Sequence, residues 1–304
     1  RAGVEYVVME VAAQAATLHR IVGLQFCAVL FTNFGQEHGE FYATQEEYFL
    51  AKQQIVQATS ARSAVVNKED VYGRRIIQLQ TTSFSLLDRQ ADFYATVLAS
   101  NPVMLLADNI ALQSNLLGAF NAYNVAGAVA LCRMLGMTLQ QCKQALAQSV
   151  HIPGRLQQYV LPHGAKCIID YAHNPSSFQA VLSTLRTMTE HLIVVFGCGG
   201  DRDKTKRPIM GRLAAQYADL VFITSDNPRS EDPQIIAQEI LQGIDKQQQT
   251  KVHVELDRQQ AIQQACRQSK KDSIVALLGK GPDHYQIIKQ EKFYFNEVEI
   301  IHAL

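Results

Sequence analysis

No charge of one sign dominates this chain: 28 basic side chains stand against 28 acidic ones in 304 residues. Without a net field it is not drawn as a whole to nucleic acid or to an anionic membrane, so a charged ligand must be met by local groups. No apolar stretch approaches the roughly 18 residues of a membrane span, and no membrane insertion is expected. Cys-x-x-Cys pairs are missing. The six cysteines, Cys27, Cys132, Cys142, Cys167, Cys198 and Cys266, are scattered. They read as buried thiols in a reducing compartment, not as zinc ligands or disulfides. The opening "RAGVEYVVMEV" has no initiator methionine and no signal-peptide layout. It enters an apolar run at once, so the chain is expected to be cut from within a longer protein. Two phosphate-binding signatures are also missing: neither Gly-Lys-Ser/Thr nor Gly-x-Gly-x-x-Gly occurs. Repeats and low-complexity segments are absent as well.

What is present reads as an ordinary globular chain of about two domains. "HIPGR" at 151–155 is the best boundary, because Pro-Gly interrupts periodic segments on both sides. The domains are expected at 1–150 and 151–304. In the first, residues 4–10, 27–33 and 63–67 read as short buried strands. Thr44 and Glu47 form a capping box, so a helix should start there and carry Lys52. Residues 76–117 show no clear period. Residues 124–136 and 138–149 read as helices, the second with its own Thr138 and Gln141 box. After residue 155, strands near 167–171, 192–198, 220–226, 251–256 and 273–279 alternate with helices. Asp232-Pro233 and Asp257 supply helix starts, and Pro208 fits a first turn. That alternation means right-handed βαβ units and a parallel sheet.

Four of these strand ends carry polar clusters: "DYAHNP" (170–175), "GCGGDRDKTKRP" (197–208), "SDNPRSED" (225–232) and "GKGPDHYQ" (279–286). In an open parallel sheet, ligands bind outside the carboxyl ends of strands, so the four should converge on one crevice. The glycines of the second cluster allow tight turns and close approach to a ligand. Arg202 and Arg229 offer planar forks suited to carboxylates, and Asn227 adds an amide. Two guanidinium groups and an amide suit a small zwitterionic acid better than a polyphosphate. The competing expectation is that the arginines pair on the surface with Asp201, Asp203, Glu231 or Asp232, where such pairs contribute little.

These clusters, with "VVMEVAAQAATLHRIVGLQF", "VLFTNFGQEHGEFYATQEEYFLAK", "VNKEDVYGRR" and "FNAYNVAGAVA" in the same order, resemble the Mur ligases over nearly the whole chain. The "GCGGDRD" and "DNPR" pair is similar to the branch that takes meso-diaminopimelate. The resemblance implies an α/β fold of two domains. A central ATPase-type domain, truncated at its N-terminus, precedes a Rossmann-like C-terminal domain with a mainly parallel sheet. It implies an ATP-dependent amide ligase of peptidoglycan precursor synthesis, cytoplasmic and monomeric. Its substrates would be ATP, a UDP-muramoyl dipeptide and meso-diaminopimelate, with Mg²⁺. Carried over by position, Lys52 matches a carbamylated catalytic lysine, and Glu10, His38 and Lys52 match the metal site. Asn121, Asn124, Arg155, Asp170, Tyr171 and His173 match ATP contacts. Arg202, Asn227, Arg229, Gly279 and Asp283 match the diaminopimelate site. Arg20 matches a contact to the UDP-muramoyl substrate.

The chain departs from the family pattern at several of these places. "EVAAQA" puts Ala12 and Ala13 where hydroxyl residues are usual, and Leu18 replaces a glutamine. Asp283 stands where a glutamate is usual, one methylene shorter. No Walker loop is present, so this stretch alone is expected to be inactive. Two alternatives stay open: an amide ligase with another amino-acid substrate, in the style of folylpolyglutamate and cyanophycin synthetases, and a degenerate homologue that binds without catalysis.

Overall fold

Short apolar runs between turn-rich segments become strands flanked by helices in the computed structural model, which describes residues 3–35, 41–57, 64–77, 81–148 and 152–304. The chain separates into two units, residues 1–115 with 119–149, and residues 116–118 with 150–304.

The first unit begins with α1 (Ala13–Thr17), β1 (Val29–Phe31), α2 (Gln45–Gln57), β2 (Ala64–Asn67), α3 (Val71–Ile77), β3 (Thr82–Ser85) and β4 (Phe93–Tyr94). These four strands form one parallel sheet in chain order. An antiparallel meander follows, made of β5 (Thr96–Ser100), β6 (Val103–Ala107) and β7 (Ile110–Gln113). Helices α4 (Ala119–Met134) and α5 (Leu139–Ala147) complete the unit. Phe31, Phe49, Val56, Ala64, Val66 and Ile76 form a buried cluster between the sheet and α2 and α3. Helix α2 starts as its sequence dictates, because the Thr44 hydroxyl accepts from the Glu47 N–H at 3.1 Å. The return bond is shifted by one residue, with the Glu47 carboxylate accepting from the Ala43 N–H at 3.0 Å. The box at α5 is complete: Thr138 and Gln141 each accept from the other's backbone.

Two expectations are corrected here. Residues 4–10 do not form a buried strand: Val7 is 81% exposed and Val8 97% exposed. Apolar β-branched residues favour an extended backbone, but burial needs a pairing partner, and among the described residues this segment has none. Cys27 is exposed and Cys132 half-buried; the other four thiols are buried. Residues 76–117, without a clear period, hold β3 to β7. The meander turns at Asp108 (φ 44°) and Asn109 (φ 62°), a two-residue hairpin with both central residues left-handed.

The second unit runs β8 (Gln157–Val160), β9 (Lys166–Asp170), α6 (Pro175–Arg186), β10 (Leu192–Phe196), α7 (Lys206–Tyr217), β11 (Leu220–Ile223), α8 (Pro233–Leu241), β12 (Val252–Val254), α9 (Arg258–Gln268), β13 (Ile274–Leu278), β14 (Tyr285–Ile288), β15 (Glu291–Tyr294) and α10 (Glu297–His302). Its six-stranded sheet has the order β12-β11-β10-β13-β9-β8. All pairs are parallel except the β8 edge. Every residue of β10 and β13 is buried, so these central strands read as unbroken apolar runs covered on both faces. Ile193, Val195, Val275 and Leu277 pack with Ala261, Ile262 and Ala265 of α9. On the opposite face Phe196 meets Phe178 of α6, ring centroids 4.9 Å apart. Asn174, Asp232 and Asp257 cap α6, α8 and α9 through side-chain oxygens, and proline follows the first two caps. Strands β14 and β15 form an antiparallel hairpin beyond the sheet.

Candidate functional site

The four polar clusters follow β11, β10, β13 and β9, which are adjacent in the sheet. Parallel strands end on the same side, so topology alone gathers these loops at one edge. β10 and β11 lead into two loops that touch. A Cβ on Gly200 would lie 1.9 Å from the Pro228 carbonyl oxygen, so only glycine fits there. The Gly200 N–H donates to the Asn227 carbonyl at 2.9 Å. Arg229 returns the contact, its Nη1 donating to the Gly200 carbonyl at 2.7 Å. The Arg229 backbone is left-handed (φ 50°) and bridges to β14, its N–H donating to the Ile287 carbonyl at 3.0 Å.

Arg202 is exposed and donates to the Asp201 carbonyl at 3.1 Å. Both arginines border one glycine: a Cβ on Gly199 would lie 2.9 Å from Arg229 Nη1 and 3.8 Å from Arg202 Cγ. The expected surface ion pairs do not form, because the hydrogen bonds of the neighbouring acids go to other donors, although Asp201 still feels the Arg229 charge. Asp201 accepts from Ser230 Oγ at 2.6 Å, and this bond holds its carboxyl below the usual range. Asp203 accepts from the Thr205 N–H and hydroxyl. Asp232 caps α8 through the Gln234 N–H. Glu231 is taken by Arg207 and Lys204. Among the described residues, neither Arg202 nor Arg229 makes an ion pair.

The rest of this set is less exposed to a ligand. Asn227 is buried, and its side-chain oxygen accepts from the Ile287 N–H at 2.9 Å, which pins β14 to the β11 loop. Gly279 (φ 102°) donates its N–H to the Asp170 carbonyl at 3.1 Å. Asp283 is half-buried beside Tyr285, and its negative charge pushes the Tyr285 phenol up.

Asp170, at the end of β9, is buried and accepts from the Leu156 and Ala172 N–H groups at 2.8 Å each. Burial pushes its carboxyl up, and those bonds oppose the shift. Arg155 stacks its guanidinium 5.2 Å from the Tyr171 ring centroid. The Tyr171 and His173 rings lie 4.9 Å apart, and the His173 carbonyl accepts from Lys206 Nζ at 2.8 Å. Arg155, Asp170, Tyr171 and His173 therefore share one corner of the second unit.

In the first unit, Asn121 and Asn124 sit one turn apart on α4, and Asn124 Nδ2 donates to Asn121 Oδ1 at 2.9 Å. Asn121 is buried and Asn124 exposed. Arg20 is exposed just beyond α1. Glu10 is exposed, and Lys52 is half-buried with Nζ 5.2 Å from the Tyr48 ring centroid. His38 lies outside the described residues. Among the described residues no three His, Cys, Asp or Glu side chains gather as a metal site. Of the expected metal set, Glu10 and Lys52 are described and His38 is not.

Sequence reasoning missed three fully buried cations: Arg258, which pairs with Glu297 at 2.8 Å, and two at this edge of the sheet. Lys280 contacts Asp226 Oδ1 at 3.0 Å, the Tyr285 carbonyl at 2.9 Å and Asn227 Oδ1 at 3.5 Å. Arg207, in the first turn of α7, reaches Glu231, Glu239 and the Gly199 carbonyl. A charge inside "GKG", and the basic run "KTKRP" that follows the glycine loop, were the available signals.

Comparison with known proteins adds an independent line. Residues 1–132 match the family model "Mur ligase middle domain", and residues 154–281 match "Mur ligase, glutamate ligase domain". The UDP-N-acetylmuramoyl-L-alanyl-D-glutamate–2,6-diaminopimelate ligase of Clostridium botulinum is 35% identical, over 99% of this chain and 64% of that protein. A solved structure of a ligase of the same name is 30% identical, with a TM-score of 0.62, over 96% of this chain and 63% of that one. MurF ligase from Thermotoga maritima in complex with ADP shares the fold, at 20% identity and a TM-score of 0.66, over 88% of this chain and 61% of that one. The chain thus spans somewhat less than two thirds of the relatives it matches.

Proposed function

Because the chain belongs to the Mur ligase family, with that family's middle and glutamate ligase domains, we propose that it serves an ATP-dependent amide ligase that adds meso-diaminopimelate to UDP-N-acetylmuramoyl-L-alanyl-D-glutamate. The D-glutamyl carboxylate would attack the γ-phosphorus of ATP, releasing ADP and forming an acyl phosphate. The diaminopimelate amine would then attack the acyl carbon, inorganic phosphate would leave, and the nitrogen would lose a proton. Positioning of the two reactants supplies most of the rate in such a step. Arg202 and Arg229 would hold the distal carboxylate of the amino acid, as fork donors to a planar acceptor. Asp283 would face an ammonium group of the same molecule. Arg155, Tyr171 and His173 would line the ATP side, with Asp170 fixing their loops from beneath. Asn121 and Asn124 would meet the adenine, and Arg20 the muramoyl substrate. Mg²⁺, with a carbamate on Lys52, would neutralise phosphate charge when bound; that part rests on the family resemblance.

The observation that carries the reading is the pair of guanidinium groups bordering Gly199, neither of them in an ion pair among the described residues, with Glu231 held by Arg207. A site of that kind attracts an external carboxylate. Calorimetric titration of the chain with meso-diaminopimelate, lysine and glutamate tests it. Diaminopimelate should bind best to the chain, and in a full-length version Arg229→Ala should weaken it at least about tenfold while leaving ATP binding nearly unchanged. Equal loss of both ligands, or a preference for glutamate, would overturn the assignment.

A further inference from the structure

Arg207 has no accessible surface, yet it holds four hydrogen bonds. Its Nη1 donates to Glu231 Oε2 at 2.9 Å and to the Glu239 carboxylate. Its Nη2 donates to Glu231 Oε1 at 2.9 Å and to the Gly199 carbonyl at 3.1 Å. Glu231 also accepts from the Asp201 N–H at 2.6 Å and from Lys204 Nζ at 3.0 Å. Both oxygens of Glu231 are thereby occupied twice. The carboxylate sits close to the arginine pair. Its Cβ lies 3.3 Å from where a Gly200 Cβ would be, and Arg229 donates to the carbonyl of that same Gly200. Two acids and two cations, Glu231 and Glu239 with Arg207 and Lys204, cancel among themselves. Arg202 and Arg229 form no ion pair among the described residues, and Arg229 reaches Asp201 only through its field.

We propose that Arg207 is a positioning residue that sequesters Glu231 and Glu239, and so keeps Arg229 and Arg202 open to an incoming carboxylate. The inference rests on the amino-acid-binding reading above and adds a condition for it. A desolvated fork binds a carboxylate in two places at once and so outcompetes the more exposed arginines for it. Without that fork, Glu231 would turn to the nearest donors with spare capacity, those of Arg229, and block the ligand from within. The two roles of Arg207 are separable. A simple structural staple would be weakened further by removing its partner as well. A sequestering residue would become dispensable once the acid it restrains is gone.

The experiment compares the unaltered 304-residue chain with Arg207→Met, Glu231→Gln, the double variant and the triple variant that adds Glu239→Gln. Circular dichroism melts establish folding. Calorimetry reads meso-diaminopimelate affinity, and phenylglyoxal labelling mapped by mass spectrometry reads how freely Arg202 and Arg229 react. Arg207→Met should lose at least about tenfold in affinity and slow the labelling of Arg229. The double or triple variant should recover to within about threefold on both readouts. Arg207→Lys, which keeps the charge but not the fork, replaces methionine if that variant does not fold, and the same rescue is expected. Rescue that fails on both readouts, or an Arg207→Met chain that binds and labels like the unaltered one, overturns the proposal. If the unaltered chain binds no diaminopimelate, the functional reading above fails instead, and the labelling of Arg229 alone decides the role of Arg207.

Discussion

Replacing Lys280 by methionine isolates the energetics of the crevice floor. The ammonium group is fully buried, 3.0 Å from Asp226 Oδ1 and 2.9 Å from the Tyr285 carbonyl. At an effective dielectric of about 20, two charges at that separation attract by about 5 kcal/mol. Desolvation of both ions offsets most of this, so the intact pair contributes little net stability. Removing one partner is different, because Asp226 is left buried without its counter-charge; that costs about 3–5 kcal/mol. With m of about 2 kcal/mol/M for urea, the midpoint of the second unit should fall by about 2 M. The chain has no tryptophan, so far-UV circular dichroism is the probe. Adding Asp226→Asn removes the orphaned charge and should restore more than half of the loss. A single-variant shift below about 0.5 M, or a double variant no better than the single, would refute the reasoning.

Three further outcomes follow from the geometry. The Arg207 hydrogen bonds hold the Glu231 carboxyl at about 2, below its ordinary 4.5. A depressed carboxylate stabilises the fold fully above its unfolded pKa and loses that contribution as pH falls through the folded one. Thermal melts should therefore fall between pH 4.5 and 2, by about 1–2 kcal/mol after screening, and Glu231→Gln should flatten that fall. Gly200→Ala forces a Cβ to within 1.9 Å of the Pro228 carbonyl oxygen. It should destabilise the second unit by about 3 kcal/mol or more and reduce diaminopimelate affinity, as melts and calorimetry would show. Thr138→Ala breaks the complete box at α5. It should cost about 1 kcal/mol in the first unit and leave the transition of the second unit in place, which domain-resolved hydrogen exchange can read.

The second unit was far more legible in sequence than the first. All five expected parallel strands occur, because an all-apolar run such as "LIVVF" has one stable destination, a sheet covered on both faces. Caps at Asp232, Asp257 and Thr138 were legible because they act within three residues. Residues 4–10 show the opposite case, since their apolar content says nothing of whether a partner strand lies alongside. The hairpin β14–β15 and edge strand β8 were missed because exposed, mixed-polarity strands carry weak alternation. Arg202 and Arg229 could be singled out from residue type and strand position. What separates them from Arg207 is burial and partner choice, which depend on contacts 24 and more residues apart. Spacing along the chain does not encode that.

Strand β13, the last strand of the six-stranded sheet in chain order, lies between β10 and β9, which come well before it. Until it is inserted, those two neighbours present open backbone edges across a missing lane, and the loops that would share a ligand are held one strand-width too loosely. Assembly of the crevice is therefore a late, non-local event in folding, paced by the most distant pairing in the sheet. A ribosome-bound chain halted before residue 274 would expose two unpaired apolar edges, the kind of surface on which chains aggregate.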